Sequence, residues 1–140
     1  MTAPVWIQRE TIVTLQEQLL AAFGGAAGLR DDDALRTALA EPPVKLTADE
    51  ASVFALAASY CYQLIDRHPF VDGNLRLGFT TAVLFLELNG YRLRASDADA
   101  AVHTLAFAAR ALDETDYAGW LQANARGVEA PAPKRPRVDD

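Results

Sequence analysis

Cysteine and histidine are nearly missing from this chain. A single Cys61 excludes an intrachain disulfide and fits a reducing compartment, as a buried structural thiol. The only histidines are His68 and His103, which leaves no ligand inventory for a zinc site of the Cys/His type. Positive charge is also in short supply: 13 Lys and Arg stand against 19 Asp and Glu, a formal net charge of -6. A surface of that sign does not attract phosphate backbones, so direct binding to nucleic acid is excluded as a general function. No apolar run reaches the roughly 18 to 20 residues of a membrane span, and no basic start leads into an apolar signal segment. These absences predict a soluble, cytoplasmic protein. No internal repeat is present.

What remains is an alanine-rich chain of 140 residues, 51% hydrophobic, the size of one domain with its own core. Alanine favours helices, and the apolar spacing agrees. Ile12, Leu15, Leu19, Ala22 and Phe23 make one face of a helix over Thr11 to Phe23, closed by Gly24-Gly25. Asp31 is a cap for a short second helix, with Asp32 and Asp33 in its first turn as a solvated helix start, and Pro42-Pro43 terminate it. Thr47 to Glu50 has the spacing of a capping box, ahead of a long helix with Val53, Leu56, Ala57, Tyr60, Cys61, Leu64 and Ile65 as its buried stripe. LRLGFTTAVLFLEL is apolar nearly all round, as expected of a buried central helix, and Asn89-Gly90 stop it. Ser96 caps a helix through Leu112, and Thr115 or Asp116 starts the last, carrying Tyr117, Trp120 and Leu121. The pattern predicts an all-α single domain of about six helices over residues 1–126, with a short extended piece at Arg92 and Leu93. Residues 127–140, rich in proline and charge, read as a disordered tail.

The stretch HPFVDGNLRLG, His68 to Gly78, carries the chemistry. It falls between the end of one helix and the start of the central one, where the first backbone N–H groups lack intrahelical partners and the dipole is positive. Gly73 removes the side chain that would block an anion, Asn74 caps the helix and orients the loop, and Arg76 offers a planar fork to phosphate oxygens. His68, with an imidazole that titrates near neutrality in model compounds, is the candidate base for an attacking hydroxyl. Asp72 is the candidate magnesium ligand, since Mg2+ commonly takes one or two carboxylates plus substrate oxygens. Phe70 reads as a hydrophobic plug fixing the loop to the core, and Pro69 stiffens it. The alternative is a plain turn and cap, with His68 serving the end of the preceding helix.

HPFVDGNLR resembles the signature of the Fic/Doc family. GGAAGLRDDDALRTALAEPP, FLELNGYRL and YAGWL resemble segments of its Doc, or death-on-curing, branch, in order, from about Thr11 to Asn124. The resemblance implies a Fic-type helical fold around a buried central helix. It also implies transfer of a phosphoryl group from ATP to a hydroxyl of a protein, in that branch elongation factor Tu, arresting translation as the toxin of a toxin-antitoxin pair. A small antitoxin would bind near the active-site groove. Carried over, His68 is the base, Asp72 the metal or orienting carboxylate, and Gly73, Asn74, Leu75 and Arg76 the positions that cradle the nucleotide. Leu75 departs from the pattern, which has lysine in the Doc branch and glycine in the AMP-transferring one, and Leu77-Gly78 replace Thr-Ala. Removing a preorganised charge costs roughly 2 to 4 kcal/mol of barrier, about a hundredfold or more in rate. A degenerate site that only binds peptide or nucleotide is therefore the second reading, and AMP transfer a third, although Thr80 stands where the AMP-transferring pattern has its second arginine. Thr37 to Glu41 has the spacing of the family's self-inhibitory helix but runs into Pro42, so inhibition is expected in trans. On the first helix, Gln16 replaces a histidine common among members.

Overall fold

A computed structural model describes residues 3–49 and 51–128. Among the described residues there are six helices, α1 (Arg9–Phe23), α2 (Asp32–Asp49), α3 (Val53–Arg67), α4 (Asn74–Leu88), α5 (Asp97–Ala108) and α6 (Glu114–Asn124). Two short strands, β1 (Tyr91–Leu93) and β2 (Ala125–Gly127), complete the fold. The architecture is all-α, as the 3.6-residue periodicity requires.

The centre is shared by α3 and α4. α3 packs against α2, α4, α5 and α6, and from Leu56 to Cys61 every residue of it is buried. α4 lies along α3 with Leu77, Phe85 and Leu86 fully buried. It is less enclosed than its composition suggests, because Leu75, Phe79 and Val83 are only half-covered. Gly78 sets the spacing of the pair. A Cβ there would lie 3.0 Å from the Cys61 carbonyl oxygen and 3.0 Å from Ile65 Cγ1, so a larger residue requires the two helices to give by a few tenths of an ångström. The close approach brings the end of α3 beside the start of α4.

Local rules decide most helix ends. Asp31 Oδ1 accepts from Ala34 N at 3.0 Å to open α2, Ser96 Oγ accepts from Asp99 N at 3.1 Å to open α5, and Asp113 and Asp116 form a reciprocal capping box at α6. Three expectations give way. α2 does not end at Pro42-Pro43 but continues to Asp49. Proline inside a helix costs about 3 kcal/mol, yet Pro42 is fully buried against the rest of the fold, and packing outweighs the local penalty. The cap of α3 is consequently not Thr47, which lies within α2 with its hydroxyl donated to the Pro43 carbonyl at 3.2 Å. Ser52 takes that role, its Oγ accepting from Ala55 N at 3.1 Å, and Glu50 lies outside the described residues. α5 stops at Ala108 rather than Leu112, because Arg110 turns left-handed with φ of 63° and reaches back to Asp66 and Tyr62 on α3.

The extended piece at Arg92 and Leu93 is an edge of a two-stranded antiparallel sheet, Tyr91 opposite Gly127 and Leu93 opposite Ala125. Val128 N donates to Gly90 O at 2.8 Å. The paired chain thus runs through Gly127 and Val128, two residues past the boundary expected at 126, and residues 129–140 of the expected tail lie outside the described residues. No helix among the described residues is long and apolar enough to cross a membrane.

Candidate active site

The loop from His68 to Gly73 is anchored from the inside by two residues. Phe70, 3% exposed, plugs into the core. Asn74, 2% exposed, turns its amide back to that residue: Oδ1 accepts from Phe70 N at 3.1 Å and Nδ2 donates to Phe70 O at 2.9 Å. Asn74 is therefore the first residue of α4 and not its cap. Its side chain is committed to shaping the loop, and it reaches an anion only through its backbone N–H. The cap position belongs to Gly73, at φ of 78°, a left-handed conformation that glycine adopts without strain.

That geometry leaves the start of α4 open. Among the described residues, the backbone N–H groups of Asn74, Leu75 and Arg76 have no protein acceptor, and the next, Leu77 N, donates to Gly73 O at 2.9 Å. Three donors with the positive end of a helix dipole behind them are the arrangement that suits an anion. Leu75 contributes its N–H only. Its side chain lines an apolar groove of about 250 Å³ between α4 and α5, together with Phe79, Ala101 and Leu105. Arg76 is exposed and its guanidinium carbon sits 4.2 Å above the ring of Phe23, at the end of α1. An exposed contact of this kind is worth about 0.5–1 kcal/mol, enough to bias the fork without locking it.

Asp72 is exposed, with Oδ1 accepting from Gly73 N at 2.9 Å and Oδ2 from Ala26 N at 3.2 Å. Each oxygen keeps a lone pair. A single carboxylate of this kind fits a magnesium ion that arrives with phosphates and keeps its own water, and does not fit a resident metal held by protein alone. Among the described residues no group of three or more His, Cys, Asp or Glu side chains is placed to hold a metal.

His68 occupies the C-cap of α3 at φ of 52° and ψ of 54°, its ring exposed. Nδ1 lies 3.4 Å from Ile65 O, a long and therefore weak contact, and the residue is otherwise open to solvent. The bland reading gave His68 the task of satisfying the end of α3. That task falls chiefly to Arg30, whose Nε donates to His68 O at 2.6 Å and whose Nη2 donates to Arg67 O at 2.8 Å. The neighbouring backbone completes the clasp, with Arg30 N and Asp31 N donating to Pro69 O at 2.7 and 3.0 Å and Val71 N to Gly28 O at 2.9 Å. From below, Gln16 Nε2 donates to Asp72 O at 2.8 Å.

Arg30 was not legible as a site residue, and Gln16 was legible only as a departure from the family pattern, with no role attached. Arg30 meets the loop across a sequence separation no local pattern reports. Gln16 did carry a signal, being a polar residue one turn after Ile12 on the buried face of α1. His103 is elsewhere, stacked on Trp120 with ring centroids 4.8 Å apart and bonded to Asp99.

The loop thus combines an open helix start with an exposed histidine and a lone carboxylate in an all-helical domain. A sequence model of the Fic/DOC family matches residues 6–86, and the chain belongs to that family. It is also similar to the protein kinase doc of Escherichia phage P1, 25% identical over 88 residues that cover 62% of this chain and 70% of that protein.

Proposed function

We propose that this protein is a Doc-type protein phosphotransferase, the toxin of a toxin-antitoxin pair, which moves a phosphoryl group from ATP to a hydroxyl of a protein such as elongation factor Tu and so arrests translation in the cytoplasm. The observation that carries the reading is the open start of α4: three unpaired N–H groups beside an exposed His68. The relative's name supports a kinase activity.

In this reading the N–H groups of Asn74, Leu75 and Arg76 hold phosphate oxygens, and the Arg76 guanidinium gives a two-pronged contact to another. Asp72 holds the magnesium ion that accompanies ATP and offsets charge on the phosphates. His68 Nε2 takes the proton from the substrate hydroxyl as its oxygen bonds to the terminal phosphorus and the bond to the bridging oxygen breaks, releasing ADP. A small antitoxin controls the enzyme in trans by binding near this groove.

One observation favours a second reading. The Leu75 side chain points into an apolar groove and adds no charge to the phosphate site, which suits a domain that binds a peptide or nucleotide without transfer. Intact-mass analysis of elongation factor Tu after incubation with the protein, ATP and magnesium separates the readings. A gain of phosphate lost in His68→Ala supports phosphotransfer, a gain of AMP assigns nucleotidyl transfer, and no change together with measurable nucleotide binding supports the binding module. In the last case, Leu75→Lys restoring transfer identifies a degenerate kinase site.

A further inference from the structure

We infer that Arg30 is a positioning residue for the imidazole of His68, acting through the backbone at the end of α3. The inference rests on the reading of His68 as the base. Helix α3 ends with carbonyl groups that have no intrahelical donor. The Arg30 guanidinium spans two of them in succession, Nε on His68 O at 2.6 Å and Nη2 on Arg67 O at 2.8 Å. Both contacts are charge-assisted, and their fork geometry fixes the orientation of one peptide plane relative to the next. The peptide planes in question flank the φ and ψ of His68 itself, which stands left-handed at 52° and 54°, a conformation that a residue with a Cβ leaves readily unless it is held.

The imidazole has little else to orient it. The residue is exposed, and among the described residues the one hydrogen-bonding contact of its ring is the 3.4 Å approach of Nδ1 to Ile65 O. The direction of its Cα–Cβ bond, and hence the place where Nε2 meets a hydroxyl, is therefore set by the backbone that Arg30 clasps. Arg30 makes no ion pair with a carboxylate among the described residues, so its charge is directed at these carbonyls alone. A lysine in its place reaches one carbonyl at a time and cannot fix both planes.

The test uses the full chain, with Arg30→Met and Arg30→Lys. Because His68 and His103 are the only histidines, each ring gives its own NMR signals, and His103 serves as an internal control. The expected result is that the His68 ring signals move and broaden in Arg30→Met, and less in Arg30→Lys, while those of His103 stay in place. In the transfer assay kcat falls about a hundredfold in Arg30→Met with the KM for ATP changed by less than about threefold, as displacement of a catalytic group by an ångström predicts. Free guanidinium ion at millimolar concentration restores part of kcat. Unchanged His68 signals in either folded variant overturn the inference, whether or not the wild type transfers phosphate. Displaced His68 signals in a protein that transfers nothing leave the clasp standing and remove the reading of His68 as a base.

Discussion

Asn74 offers the sharpest test of how the loop is held. Replacing it with alanine removes both the acceptor for Phe70 N–H and the donor to Phe70 O, at 3.1 and 2.9 Å. Phe70 is 3% exposed and the other described backbone contacts of the loop fall on Pro69, Val71 and Asp72, so neither Phe70 group has an alternative partner. A buried donor or acceptor left unsatisfied costs about 1–3 kcal/mol, and two of them about 2–6 kcal/mol. Alanine is the better helix former by about 0.7 kcal/mol at most, which lowers the sum slightly. Partial entry of water from the nearby surface lowers it further, giving an expected loss of about 2–4 kcal/mol. The assay is urea unfolding followed by far-ultraviolet circular dichroism, comparing midpoints at an unchanged slope. Asn74→Asp is the companion variant, keeping the acceptor and losing the donor, and is expected to fall between. A loss below about 0.5 kcal/mol for Asn74→Ala, the size of a surface substitution, would refute the claim that this amide holds the loop.

Gly78→Ala is expected to destabilise the fold by about 1 kcal/mol or more, although alanine ordinarily improves a helix by a similar amount, because the new Cβ lies 3.0 Å from the Cys61 carbonyl oxygen and α4 must shift away from α3. Thermal unfolding measures it, and a stabilised variant would show that the two helices separate freely. Cys61 is fully buried, and desolvation pushes its thiol up to about 12. Alkylation at neutral pH is therefore expected to proceed only through unfolding, at a rate that rises with denaturant, and prompt reaction in native buffer would contradict the packing. The side-chain hydrogen bond from Arg9, and then that from Arg36, holds the Asp32 carboxyl below its ordinary value of 3.8. A lowered folded-state pKa contributes stability that is present above 3.8 and is lost as pH falls through the folded value. The Asp32→Asn variant is expected to lack that acid-side loss, and an identical stability profile below pH 4 would place no weight on the pair.

How much of this was readable in advance depended on the range of the interaction. Helix periods and stops depend on residues three or four apart, and α1, α4 and α6 stand close to where spacing and caps place them, while α3 keeps its expected end but not its expected cap. Phe70 was legible as a plug because a large apolar residue in a polar loop has few other uses. Pro42-Pro43 misled because proline's penalty is local while the burial that offsets it comes from other elements. The pairing of β2 was not legible for a related reason: Gly127 has no side chain to mark it as part of a strand, and its partner Tyr91 is distant in sequence.

The site divides along the same line. The order of residues from His68 to Arg76 by itself determined that a loop would stand at a helix start, that glycine would leave the backbone open there, and that a base, a carboxylate and a guanidinium would be close by. Only the tertiary structure decided what each does in place. It turned the Asn74 amide inward to Phe70, laid Leu75 into an apolar groove, set Arg76 over Phe23, and brought Arg30 and Gln16 from distant segments to hold the loop from two sides. Those assignments depend on which hydrogen-bonding groups are left without partners once the helices pack, and that becomes definite only when every neighbour is in position.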